Sequence, residues 1–161
     1  MMSNDSMRAS ARRVQQALAK FGLDLKVQEL AESTRTAAEA AASIGCQVGQ
    51  IAKSLIFMTA ETRQPVLVIA SGSNRVNEKK IGSLVGEAIR KADADFVREK
   101  TGYAIGGVPP VGHAADLITF IDQDLMDYER IWAAAGTPFA VFELKPADLL
   151  QITDGKVIDI H

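Results

Sequence analysis

Two apolar stretches, Gln50–Thr59 (QIAKSLIFMT) and Pro65–Ser71 (PVLVIAS), follow one another with only the polar Ala60–Gln64 between them. Runs of this kind around a polar turn predict two strands joined as a hairpin. Their apolar character puts that hairpin at the centre of a sheet, and both are far too short to span a bilayer. The rest of the chain has to be arranged around this pair.

Before the hairpin, Ser6–Phe21 carries Val14, Leu18 and Phe21 at helical spacing, with Gly22 as its stop. Leu23–Leu30 alternates Leu23, Leu25 and Val27 with Asp24, Lys26 and Gln28, the period of a half-buried strand. Thr36–Ile44 is alanine-rich, begins with a Thr36/Glu39 capping-box spacing and ends at Gly45. After the hairpin, Asn77–Val85 and Ala94–Lys100 predict short helices, ended by Gly86 and Gly102. Leu117–Ile121 (LITFI) reads as a strand, and Arg130–Ala134 with Pro138–Leu144 as a second hairpin around Ala135–Thr137. Pro146–Leu150 starts a helix, with Pro146 suited to its first turn, and Lys156–Ile160 predicts an edge strand. Hairpins with irregularly interspersed helices imply an α+β fold with a mixed, mostly antiparallel sheet. No internal repeat or linker divides the chain, so residues 1–161 are expected to form one domain, with 1–6 as a flexible tail.

A chain of 161 residues with 47% hydrophobic side chains can bury a real core without staples. Its formal net charge of −2 confines any nucleic-acid contact to a local patch. Cys46 is the only cysteine, which fits a reducing compartment. Met1–Lys20 carries Asp5, Arg8, Arg12 and Arg13 and has no apolar core of a secretory signal. A cytoplasmic protein without membrane attachment is expected.

Three features could carry chemistry. Lys53 interrupts the first central strand, between Ala52 and Ser54. It either snorkels to water on a solvent face or meets an anion in a cleft. The stretch Thr101–His113 (TGYAIGGVPPVGH) holds four glycines and two prolines in thirteen residues, which rules out a regular helix or a central strand. Gly106 and Gly107 can leave main-chain N–H groups facing a cavity, while Pro109 and Pro110 stiffen the far side. Taken alone, such a sequence is more often a plain turn. His113 follows this loop and is the only internal histidine, since His161 ends the chain and is expected to be frayed. A lone histidine is more often a structural hydrogen-bonding residue than a catalytic one. No nucleophile elbow, phosphate-loop motif, dinucleotide fingerprint or zinc spacing is present, so no metal or cofactor is implied. Cys46 reads as a small core residue, and the acids Asp93, Asp95, Asp122, Asp124 and Asp127 as helix-start and loop residues. Arg75–Lys80 is the most concentrated basic segment and the best place for a phosphate contact.

In order along the chain, these parts resemble the YbaK/ProX family of aminoacyl-tRNA deacylases, which includes the editing domain inserted in bacterial prolyl-tRNA synthetases. The resemblance runs through TAAEAAASIGC, the lysine strand QIAKSLIF, the apolar strand PVLVIASGSNRVN and the loop GYAIGGVPPVGH, covering roughly residues 20–160. It implies a curved mixed sheet and hydrolysis of the ester between an amino acid and the terminal adenosine of a transfer RNA. It implies that Lys53 anchors that nucleotide and that the Gly106–Pro110 loop, Gly107 included, positions the carbonyl. His113 stands where many relatives carry histidine. Such an ester is already activated, so holding it beside water and the ribose hydroxyl can supply most of the acceleration without a triad or a metal.

Relatives that remove cysteine carry Ser-Gly-Gly and an Asp in the last hairpin, where this chain has Ala134, Ala135, Gly136 and Val141. That departure points to a smaller apolar pocket and to alanine on proline tRNA, ahead of 2-aminobutyrate or serine. Leu30–Thr36 and Phe139 are candidates for its walls. The implied partners are the acceptor end of aminoacylated tRNA and a prolyl-tRNA synthetase. The alternative is a module of the same fold that binds tRNA or a synthetase without catalysis; a free-amino-acid or nucleotide-binding regulator is a weaker third reading.

Overall fold

A computed structural model describes residues 8–161, so the expected tail at 1–6 lies outside the described residues. In chain order the elements are α1 (Ala9–Ala19), β1 (Val27–Glu29), α2 (Ala37–Ile44), β2 (Ile51–Thr59), β3 (Pro65–Ser71), α3 (Glu78–Val85), β4 (Ile89–Lys91), α4 (Ala94–Thr101), β5 (Ile118–Asp122), β6 (Ile131–Ala134), β7 (Ala140–Leu144), α5 (Pro146–Thr153) and β8 (Lys156–Ile158). The strands form one mixed sheet in the order β1-β7-β6-β2-β3-β5-β8, with β4 attached to β2 beside that path. This is the α+β architecture expected from the sequence. Among the described residues no helix is long and apolar enough to cross a membrane.

The central hairpin is present: β2 and β3 pair antiparallel from Ala52 opposite Ser71 to Met58 opposite Pro65. Every residue of β3 is buried, because its two faces cover two different cores. Leu67 and Ile69 join the main core with α1, β6, β7 and α5, and Val66, Val68 and Ala70 pack under α3. Burying each of these Val, Leu and Ile side chains contributes about 1.5–3 kcal/mol. A third small cluster places Ala40 and Ala41 of α2 against Ile51 and Trp132. Cys46 packs against its edge, half-buried.

Local signals set the helix ends. The Thr36 hydroxyl accepts from the Glu39 N–H at 3.1 Å, Asn77 Oδ1 from Lys80 N–H at 3.2 Å, and Asp93 Oδ1 from Phe96 N–H at 2.8 Å. Each satisfies a donor the first helical turn leaves open.

The structure differs from expectation in three places. The strand expected over Leu23–Leu30 shrinks to Val27–Glu29, because the Gln15 side chain takes the Leu25 carbonyl and the Val27 N–H, each at 2.8 Å. Strand β4 was not foreseen; its three residues find a partner only in the far end of β2. His161 is not frayed: its Nε2 lies 3.1 Å from Asp124 Oδ2, and its N–H donates to Asp159 at 2.9 Å.

Candidate functional site

A break in the sheet builds the cleft. On one edge β2 pairs with β3 throughout; on the other it meets β6 only at Ile51 and Ala52, and β4 only from Phe57 to Thr59. Toward β3, the Ile51 carbonyl accepts from Gly72 N–H at 2.8 Å and Thr59 N–H donates to Gln64 at 3.0 Å. Because an antiparallel ladder alternates, the even-numbered residues turn their main-chain groups to the other edge. Ser54 therefore faces the break, and among the described residues no backbone hydrogen bond meets it there. Its Oγ is buried and also without a partner.

The glycine-rich loop lies beside this break. Lys53, Ser54, Leu55, Ile105, Gly106 and Val108 line both of two adjoining lobes. The smaller lobe, about 300 Å³, is closed by Thr34–Thr36, by Ala37 and Ala40 of α2, and by Trp132, Ala134 and Val141 of the β6–β7 hairpin. The larger, about 600 Å³, extends towards Arg75, Glu78 and Lys91. These are sizes for a small ligand or part of a larger one.

Lys53 is half-buried, and its ammonium is held below the ordinary lysine range, first by burial and then by repulsion from Arg75 and Lys91. Asp122 acts in the opposite direction. That carboxylate is fully buried and accepts from Ser71 N–H at 2.9 Å, Asn74 Nδ2 at 2.8 Å and Asp124 N–H at 3.0 Å, which fixes the segment carrying Arg75.

The structure brings together Lys53 and Gly106 but holds Gly107, Pro110 and His113 back from the cavity lining. Gly107 donates to the Ala104 carbonyl at 3.0 Å and accepts from Gly136 N–H at 2.8 Å. Its N–H is committed, whereas those of Ile105, Gly106 and Val108, all on the cavity wall, have no hydrogen-bond partner among the described residues; Gly106 and Val108 flank the fastened Gly107. Pro110 is buried behind the loop. Phe139 lines neither lobe: its ring stacks under the Arg8 guanidinium at 5.7 Å and its carbonyl accepts from Leu30 N–H. Sequence reasoning included Val108 in the Gly106–Pro110 loop without singling it out, and it missed Ser54. The exposure of the Ser54 main chain to the break depends on which edge of β2 is unpaired, a fact the residue types do not carry.

His113 braces the loop from behind, its Nε2 2.7 Å from the Pro109 carbonyl. With a carbonyl as partner, that nitrogen donates. Burial lowers the pKa of the ring, and the bond to Pro109 offsets this in part. A histidine whose folded pKa is depressed contributes stability at high pH, which is lost as pH falls below its unfolded value of about 6.5. His161 has the opposite sign: its hydrogen bond to Asp124 raises its pKa, so its contribution is full at low pH and fades as pH rises through the raised value. The double variant His113→Gln/His161→Gln, compared with each single variant by thermal melts from pH 5 to 8, separates the two. His113→Gln should flatten the acid-side loss; an unchanged acid limb would rule out a neutral buried ring.

The model of the aminoacyl-tRNA editing domain matches residues 31–152. An uncharacterised Bacillus subtilis protein, YwhH, is 35% identical over 135 residues, covering 83% of this chain and 85% of that protein. EbsC of Enterococcus faecalis, a candidate Cys-tRNA(Pro)/Cys-tRNA(Cys) deacylase, is 27% identical over 80% of this chain and 79% of its own length. A crystal structure of a candidate trans-editing enzyme for prolyl-tRNA synthetase superposes with a TM-score of 0.90 at 49% identity, covering 96% of this chain and 98% of the other.

Proposed function

Since the chain belongs to the aminoacyl-tRNA editing domain family, we propose that it hydrolyses the ester of mischarged aminoacyl-tRNA in trans, with alanine on proline tRNA as its substrate. The observation that carries this reading is the meeting of Lys53 with the open amides of Gly106 and Val108 along one cleft.

In this reading the terminal adenosine is anchored by the Lys53 ammonium. The ester carbonyl oxygen takes the N–H groups of Gly106 and Val108, and Gly107, Pro110 and His113 hold those amides in place from behind. Water adds to the carbonyl carbon, and the π electrons move onto an oxygen that the two amides stabilise. The intermediate then collapses as the carbonyl re-forms, expelling the ribose oxygen, which takes up the proton that the attacking water gives up. Removing one donor of such an oxyanion site typically costs ~10²–10³ in kcat. The attacking group is water and the ester is already activated, so positioning supplies the acceleration.

The smaller lobe favours a small side chain. Trp132 and Ala134 alternate onto the same face of β6, and Val141 lies directly opposite Ala134. All three walls are apolar, which suits alanine better than the cysteine in the name of EbsC. A panel of alanine, serine, cysteine, threonine and 2-aminobutyrate, each esterified to proline tRNA, tests this under multiple turnover. Alanine should be released fastest, and Val141→Ala should shift the ratio towards 2-aminobutyrate by about 10-fold, the scale of one methylene. Faster release of cysteine by the unaltered protein would refute the alanine assignment. Binding without any release would favour the non-catalytic module.

A further inference from the structure

The larger lobe has a charge pattern that ester hydrolysis alone does not explain. Lys53 from β2, Lys91 from β4 and Arg75 from the segment after β3 all line it, with Glu78 the one carboxylate on its wall. None of the three cations has an ion-pair partner among the described residues, where the pairs are Lys80–Asp159, Arg130–Glu143 and His161–Asp124. Three separate parts of the fold bring them to one cavity. Lys91 sits opposite Phe57, which shares a face of β2 with Lys53. Arg75 follows Asn74, whose side chain is tied to Asp122 and Asp124 at 2.8 and 2.7 Å. Burial first, and then repulsion from Arg75 and Lys91, lowers the Lys53 pKa, with the buried Asp122 carboxylate acting in the opposite direction. An entering polyanion would relieve that repulsion.

Building on the deacylase reading, we propose that Arg75 and Lys91 form a phosphate subsite for the unpaired acceptor strand just 5′ of the terminal adenosine. The strand then crosses the larger lobe between β4 and the Arg75 segment, and Lys53 marks the point where the nucleotide gives way to the ester. The ester turns into the smaller lobe. Phosphate contacts fix the register of a nucleic acid without reading its sequence, so this subsite serves affinity and strand direction rather than the chemical step.

Both side chains are exposed, so Arg75→Gln/Lys91→Gln should fold as the unaltered protein does. The test compares three esters: 3′-O-alanyl-adenosine without phosphate, alanyl-CCA trinucleotide and full-length Ala-tRNA(Pro). The double variant should raise KM about 10-fold or more on the last two, leave kcat within about twofold, and act normally on alanyl-adenosine. The slope of log KM against log salt should fall by about 1.4, two single-strand phosphate contacts at ~0.7 each. Equal losses on alanyl-adenosine, or no loss on tRNA, would overturn the subsite. Anisotropy with a non-hydrolysable, amide-linked 3′-alanylamino-CCA oligonucleotide decides it without turnover. If the protein hydrolyses none of the esters but the variant still binds this probe more weakly, the deacylase reading fails and the subsite stands. Equal binding by variant and unaltered protein removes the subsite. Competition by free inorganic phosphate or AMP as strong as by the oligonucleotide would overturn the strand and leave a nucleotide-ligand site.

Discussion

Replacing Lys53 by alanine should lower kcat/KM for Ala-tRNA(Pro) by about 100-fold or more while leaving the melting temperature unchanged or raised. A hydrogen bond made by a charged group is worth ~1.5–3 kcal/mol, and here it holds the nucleotide that aligns the ester with the loop amides. The fold should not suffer, because the ammonium is a cost to the unliganded protein: burial and the nearby Arg75 and Lys91 disfavour its charge. Its folded pKa lies below the unfolded 10.5, so the unfolded chain binds the proton more tightly. Stability therefore rises with pH through the window just below 10.5, and Lys53→Ala should remove that rise. Lys53→Arg distinguishes charge from shape: it keeps a cation but replaces a compact donor by a planar fork, and should recover only part of the activity. Activity retained by Lys53→Ala would end the anchoring role, whatever the fate of the second lobe.

The fold was legible wherever a local signal and a tertiary need coincide. The β2–β3 hairpin, the capped starts of α2, α3 and α4, and the β6–β7 hairpin all lie close to where their residues place them. The misses come from long-range partners. Ile89–Lys91 has no strand signal of its own and exists as β4 because the outer end of β2 offers an edge. Leu23 and Leu25 have strand periodicity, yet Gln15 caps the main chain there before a ladder forms. The site divides in the same way. Lys53 stood out as a charge inside an apolar strand, and the loop as a cluster of glycines and prolines. Which amides of that loop remain open depends on a turn inside it, where Gly107 N–H is taken by the Ala104 carbonyl, and the loop's seat depends on Gly136, 29 positions beyond Gly107, whose N–H holds the Gly107 carbonyl. The three-cation lobe was legible in part: Arg75 belongs to the basic segment best placed for a phosphate contact, whereas Lys91 carries no signal in the sequence. Only the pairing of β4 with β2 shows that they share a cavity with Lys53.

Gly107→Ala should be the most damaging change to the loop, although Gly107 does not line the cleft. An added Cβ would stand 2.8–2.9 Å from the N, Cα and C atoms of Thr137, main chain at the tip of the β6–β7 hairpin. Backbone cannot step aside as a side-chain end would, so the loop itself must lift. The Gly136 N–H to Gly107 carbonyl bond that fastens loop to hairpin then lengthens or breaks. Overpacking of this kind costs ~1–3 kcal/mol, and a domain of this size loses about 2–4 °C in Tm per kcal/mol. The catalytic loss should be larger than the stability loss. Gly106 and Val108 flank the displaced residue, and a shift of about 1 Å in a positioning group can cost ~10²-fold in rate. Gly106→Ala is the control. It forces alanine into a left-handed backbone at φ 90°, but its Cβ would meet the flexible Cγ of Arg35 at 3.3 Å rather than main chain. It should lose comparable stability through strain of ~1–3 kcal/mol while keeping the Gly107–Gly136 fastening. Melting curves and single-turnover deacylation of both variants separate the two effects. If Gly107→Ala deacylates at the unaltered rate, the amides of Gly106 and Val108 are not what holds the carbonyl.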